Sequence, residues 1–211
     1  MTLEIWLAFV VACAVVLAIP GPTVMLVVSY ALGKGRQTAW ATVPGVALGD
    51  LTAMTVSLLG AGALLAASAT AFTVLKLCGA VYLVWLGVKM WRDKPEALHD
   101  SRDAKRNRPS RMFLQSYIVT ALNPKGIVFF IAFVPQFVVA NSPLMPQFGI
   151  MIATFVTLAA VNTAMWAILA GTLREKFRHP RAMQRINRAG GSVLIAAGLL
   201  TALTRRASAA A

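Results

Sequence analysis

The sequence predicts an all-α, polytopic membrane protein whose six transmembrane helices form two inverted three-helix repeats with broken first helices. Three observations carry this. Apolar runs occupy Ile5–Leu32, Ala39–Ala67, Ala71–Trp91, Met112–Val139, Phe148–Leu173 and Ala189–Leu203, and most exceed the roughly 20 residues that a helix needs to cross about 30 Å of hydrocarbon. Lys and Arg are segregated: of twenty, two fall in 33–38, seven in 92–111 and six in 174–188, while the alternate loops 68–70 and 140–147 have none. Because cytoplasmic loops concentrate these residues, the basic loops are placed inside and both termini outside. Arg205 and Arg206 then fall on the external side, against that rule.

The third observation is an internal repeat. At an offset of 111, Thr52-Ala53-Met54 meets Thr163-Ala164-Met165, and Gly79-Ala80-Val81-Tyr82-Leu83 with Gly87 meets Gly190-Gly191-Ser192-Val193-Leu194 with Gly198. The proline breaks of runs one and four correspond at a slightly smaller offset. Three spans per repeat is odd, so the halves cross the membrane in opposite senses, the plan of secondary transporters with midplane sites at discontinuous helices. The expected units are residues 1–91, a basic cytoplasmic linker 92–111, and residues 112–211. The last run has only about fifteen residues, so its crossing and the side of the C-terminus stay open.

Taken in order, run one starts almost at the N-terminus but follows Glu4 rather than a basic segment, which fits a retained helix and not a signal peptide. It is interrupted by Pro20-Gly21-Pro22, roughly 22 Å along a helix at 1.5 Å per residue. A half-helix ending near Ile19 offers free carbonyls, and one beginning near Thr23 offers free amides, the two ends suited to a zwitterion. A plain proline kink between packed helices is the competing reading. In run four, Asn123 can cap a helix that starts at Pro124, with Lys125 just inside it.

Run two holds Asp50 near its centre, where an ionised carboxylate costs about 2.5 kcal/mol or more. It should face the bundle interior, with Lys125 at comparable depth as its natural partner; a proton exchanged at Asp50 could couple transport to a proton gradient, and a purely structural ion pair is the alternative. Asn162, in run five, is the repeat-related polar position, fitted either to a substrate or to a bond with a neighbouring helix. Gly45 with Gly49, and Gly79, set small faces for close helix contact. Lys76 and Lys89 can snorkel, Trp6, Trp40, Trp85, Trp91 and Tyr82 read as belt or packing residues, Cys13 and Cys78 as packing residues, and His99 and His179 receive no role.

Composition excludes several classes. With 58% hydrophobic and 13% charged residues in 211, no soluble domain fits beside six spans. The net charge of +13 lies in alternate loops, which argues for membrane topology and against nucleic acid. There is no second deep aspartate, no H-E-x-x-H and no Ser/His pair in the spans for an intramembrane protease, and no G-x-x-x-x-G-K-[ST] for ATP-driven transport. Neither a catalytic site, a metal nor a cofactor is expected.

The chain resembles the LysE-type amino-acid exporter superfamily, specifically its RhtB branch of homoserine, homoserine lactone and threonine efflux proteins. The resemblance covers essentially the whole chain. It rests on Met1-Thr2-Leu3-Glu4, Pro20-Gly21-Pro22, Gly45 and Leu48-Gly49, on Leu75–Gly87 as the K-x-x-G-A-x-Y-L-x-x-x-G block, on Asn123-Pro124-Lys125 with Phe130, and on Phe133-Val134-Pro135-Gln136-Phe137. It implies a multi-pass exporter of the bacterial inner membrane for small amino acids or their derivatives, driven by the proton gradient and compatible with a homo-oligomer. Asp50 is the single acidic residue deep in a span, which favours a neutral zwitterion over a basic amino acid. The substrate-binding residues expected are Pro20, Gly21, Pro22, Thr23, Asp50, Asn123, Pro124, Lys125 and Asn162. An exporter of another small solute or cation, a channel and an assembly protein are the alternatives.

Overall fold

A computed structural model describes residues 1–92, 108–139, 142–172 and 180–203. Helix α1 (Leu3–Ala18) starts at the N-cap Thr2, whose hydroxyl accepts from the Ile5 amide at 3.4 Å. It stops because Pro20 follows: the residue before a proline is driven out of the helical region, and Ile19 is extended at φ −77, ψ 115. Pro22 then opens α2 (Pro22–Lys34) from the extended N-cap Gly21, the first-turn position that a missing N–H suits. The two halves meet at 55°. The interruption expected in run one is therefore a break and not a shallow kink.

Helix α2 ends at Gly35, whose φ of 87 and ψ of −177 belong to a region open essentially to glycine alone. A short 3-10 turn, Arg36–Thr38, leads into α3 (Ala39–Ala67), which is followed by α4 (Ala69–Arg92). The second half comprises α5 (Pro109–Ala121), α6 (Pro124–Val128), α7 (Leu144–Thr172) and α8 (Pro180–Leu203). Asn123 caps α6 as the sequence predicts, its side-chain oxygen accepting from the Lys125 amide at 3.1 Å. The chain after α6 widens into a π turn at Phe129–Phe133 before a 3-10 turn at Val134–Phe137. Pro135 explains the change of pitch, since its ring would clash with the carbonyl four residues back in an α-helix and it has no N–H to donate there.

All regular structure among the described residues is helical. By length and composition, three helical stretches can cross a membrane, Arg36–Leu64, Pro109–Phe137 and Leu144–Thr172, and the bent α1–α2 pair makes a fourth. The last helix is longer than its apolar run, reaching back to Pro180. His99, His179, Arg205, Arg206, the side chain of Lys76 and most of the linker 92–111 lie outside the described residues.

The core lies where α1, α3, the π turn and α7 converge. Phe9, Cys13 and Val16 meet Ala53, Met54 and Leu58, Phe129 and Phe130, and Phe148, Met151, Phe155 and Ala159. The Phe130 and Phe155 rings stand edge to face with centroids 4.8 Å apart, a favoured aromatic geometry. Cys13 packs as expected, but Cys78 is exposed on α4 and fills no core. Trp6 and Trp91 do more than sit at helix ends: their indole nitrogens donate to Thr154 Oγ1 at 3.0 Å and Ser192 Oγ at 2.9 Å, tying α1 to α7 and α4 to α8. Lys89 reaches over the Trp85 ring.

Glycines set the helix spacing. A Cβ on Gly45 would stand 2.5 Å from the Phe113 carbonyl oxygen, and one on Gly49 would stand 2.7 Å from Thr120 Cβ, so α3 and α5 touch through their backbones. Gly79 lies against Ala132 in the same way. Between α4 and α8, a Cβ on Gly191 would fall 2.5 Å from the Gly87 oxygen, and one on Gly198 would fall 2.7 Å from the Ala80 oxygen. A shift of 111 turns one contact into the other, carrying Gly87 to Gly198 and Ala80 to Gly191.

Overpacking of this kind costs about 1–3 kcal/mol. Gly87→Val should lower the thermal unfolding midpoint in detergent, whereas Gly60→Val, at a position with nothing within 4 Å of an added Cβ, should not. Equal midpoints for the two variants would show that the α4–α8 contact is not close-packed.

Candidate functional site

The break in the first span generates the site. At the C-terminal end of α1 the last carbonyls lose their helical donors because Pro20 brings no N–H and the chain turns away. These oxygens do not stay empty. Lys125, at the start of α6, sends its ammonium to the Ile19 oxygen at 2.8 Å and the Val16 oxygen at 3.2 Å. Asn162 of α7 donates from Nδ2 to the Leu17 oxygen at 3.0 Å. The partial negative charge at a helix C-terminus favours a cation there, and in a membrane interior no water is on hand to do the work instead.

The sequence pairs Asp50 with Lys125; the structure keeps the two as electrostatic neighbours and not in direct contact. Although the two charges lie within electrostatic reach of each other, they form no direct ion pair, and the lysine's donors go to the α1 carbonyls. The physical reason is local: the break places strong acceptors beside the lysine, and an ammonium has three directed donors to satisfy. Asp50 faces inward as expected and is 8% exposed. It sits on the buried stripe of α3 with Val46 and Met54, between the Val27–Val46–Ala167 cluster and the large aromatic core. Among the described residues it has no hydrogen-bond partner.

On the other side of the break, Thr23 of α2 accepts from Thr120 Oγ1 at 3.2 Å and from Asn123 Nδ2 at 3.3 Å. This joins the two interrupted spans directly. Gly21 is extended and partly buried, and a Cβ there would lie 3.5 Å from the Lys125 nitrogen. Pro20 is buried at the break, while Pro22 and Pro124 are exposed, so these two act by starting helices and not by lining the interior. Of the residues named from sequence, Gly21, Thr23, Asn123, Lys125 and Asn162 thus come together around the break, with Asp50 within electrostatic reach of Lys125.

Thr120 was not among the expected residues, nor was Ser116, whose hydroxyl is fully buried without a partner among the described residues. A signal existed: Ser116 and Thr120 are four apart on one face of α5, the spacing of Gly45 and Gly49 on α3, against which they pack. Among the described residues, no three His, Cys, Asp or Glu side chains gather as a metal site would need.

Fold and site together define a multi-pass helical membrane protein with a polar centre built at a broken span. The chain belongs to the LysE type translocator family, whose profile matches residues 14–205. It is 31% identical over 205 residues to an uncharacterised membrane protein of Vibrio cholerae serotype O1, covering 97% of this chain and 100% of that one. It is 30% identical over 207 residues to a homoserine/homoserine lactone efflux protein of Salmonella typhimurium, covering 98% and 100%. A leucine efflux protein of Klebsiella pneumoniae is 24% identical over 189 residues, covering 90% and 88%. No solved structure matches the chain.

Leaving the Leu17 carbonyl unsatisfied should cost about 1–3 kcal/mol. Asn162→Leu is therefore expected to lower the unfolding midpoint more than Thr157→Val, since the Thr157 hydroxyl bonds only within its own helix, to Ala153. Matching midpoints would mean that the α1 end does not depend on Asn162.

Proposed function

We propose that this protein is a secondary transporter of the bacterial inner membrane that exports small neutral amino acids or their derivatives in exchange for protons. The observation that carries the reading is a carboxylate, Asp50, buried with no hydrogen bond among the described residues and within electrostatic reach of an ammonium held at the carbonyl end of a broken span. A buried acid in a membrane interior is expensive and marks an ion or substrate path by default. The names of the relatives supply the cargo class: homoserine with its lactone in one case, leucine in another. Homoserine and leucine both carry one ammonium and one carboxylate and no net charge, in keeping with a site holding one of each.

The architecture in this reading is six spans in two inverted repeats. Its support is the repetition of close glycine contacts at positions of α4 and α8 that a shift of 111 exchanges, Gly87 with Gly191 and Ala80 with Gly198. The two interrupted spans also meet through Thr23 and Asn123, where inverted-repeat transporters keep their sites. The basic loops lie in the cytoplasm.

Protons couple because a zwitterion held at a broken helix does not move uphill by itself, and Asp50 is the one acidic residue deep in an apolar run. Cells that overproduce the protein should accumulate less homoserine, threonine or leucine, and a protonophore should abolish the difference. Asp50→Asn should lose uphill efflux. Uphill efflux by that variant at the wild-type level would remove Asp50 from the coupling. Orientation is checked separately by single cysteines in a Cys-free background: Ser142→Cys should label from outside and Ser101→Cys should not, and the reverse pattern would invert the topology.

A further inference from the structure

The occupied carbonyl end fixes which pole of a zwitterion goes where. A substrate ammonium placed at the C-terminus of α1 would meet the Lys125 ammonium already bonded to Val16 and Ile19. A second ammonium at those oxygens would stand against the Lys125 charge at close range, so the negative end of α1 is closed to the cargo's positive group. What the lysine leaves open is the opposite polarity. An ammonium has three N–H groups, and two are used on the α1 carbonyls. The space beside its nitrogen is kept by Gly21, where a Cβ would sit 3.5 Å from Nζ and 3.7 Å from Cδ and Cε. Gly21 is also the N-cap of α2 and offers no side-chain cap, so the amides of Thr23 and Val24 at the second and third helical positions have no intrahelical acceptor. The Lys125 ammonium and this helix start lie side by side at Gly21, the lysine bringing a positive charge and the helix its free amides.

The positive group then needs an acceptor, and the structure supplies one. Asp50 is 8% exposed and has no hydrogen-bond or ion-pair partner among the described residues. It belongs to α3, a different span from both the break and the lysine. We propose that Lys125, the Gly21 gap and the α2 amides bind the carboxylate of an amino acid, and that Asp50 receives its ammonium. This assignment rests on the exporter reading above and refines it. It makes Gly21 a specificity residue, since any side chain there fills the carboxylate position. It also sorts cargo by chemistry: a compound with a free carboxylate uses both poles, and one that lacks it, such as a lactone, uses Asp50 alone.

The test compares compounds that differ at that group. Purified protein in liposomes is loaded with L-homoserine or L-homoserine lactone, and in a second pair with L-leucine or L-leucinamide, and flux is followed by mass spectrometry. Lys125→Gln and Gly21→Ala should each lower the flux ratio of carboxylate to carboxylate-free compound by about tenfold or more, the effect expected from losing one charge-assisted hydrogen bond. Gly21→Ala keeps the lysine and its carbonyl contacts, and the φ of −115 at that position suits alanine, so it reads the site even where Lys125→Gln loosens the helix end. A wild-type ratio in both variants, or equal losses for both members of each pair, overturns the assignment while leaving the exporter reading intact. Wild-type protein that moves neither homoserine nor leucine overturns the exporter reading and this assignment with it.

Discussion

The interaction on which the rest depends is the satisfaction of the carbonyls that Pro20 strands at the end of α1. In a hydrocarbon interior such oxygens cost several kcal/mol each if left bare. This protein answers with donors from two other spans, Lys125 and Asn162. Both donors come from the second half of the chain, so the break in the first half cannot form stably until the halves have met. The same bond turns Lys125 away from direct contact with Asp50, which has no hydrogen bond among the described residues. Local backbone chemistry therefore decides the polarity of the whole centre.

Packing supplies the frame in which this is possible. Contact through glycines brings α3 against α5 and α4 against α8 at backbone distance, so that short side chains such as Thr23, Thr120 and Asn123 can reach one another. In lipid, where apolar surface gains little by turning inward, close small-residue contacts and interhelical hydrogen bonds carry the association. The aromatic core formed by α1, the π turn and α7 closes one side of this centre with large rings. Pro135 is part of that closure, because the wider turn ahead of it redirects Phe129 and Phe130 into the bundle.

Much of this is legible in the sequence. Long apolar runs reveal helices because a backbone in lipid must satisfy itself, and Pro20 and Pro124 announce interruptions because proline cannot donate. Asp50 and Lys125 stand out because charge is rare at that depth. Glycine positions such as Gly45 and Gly49 announce close contact by their spacing alone. Asp50 and Lys125, electrostatic neighbours without a direct bond, show the limit of that reasoning: a sequence displays side-chain charges, but the acceptors that take the lysine's hydrogen bonds are main-chain oxygens of Val16 and Ile19, whose availability depends on where a helix ends. Thr120 was missed for a related reason, since an ordinary threonine in a helix gains importance only from the Thr23 that faces it.

The sequence by itself determined the helical membrane class, the places where spans break and the identity of the charged and polar residues near those breaks. These follow from rules that act within a few residues: proline geometry, capping, and the cost of charge in hydrocarbon. The tertiary structure decided which oxygen each donor reaches, which carboxylate stays alone and which face of each break looks into the bundle. Those are contacts between spans more than a hundred residues apart, as from Lys125 to Val16 or Asn162 to Leu17, and no local rule ranks a main-chain carbonyl against a distant carboxylate until packing has set their distances.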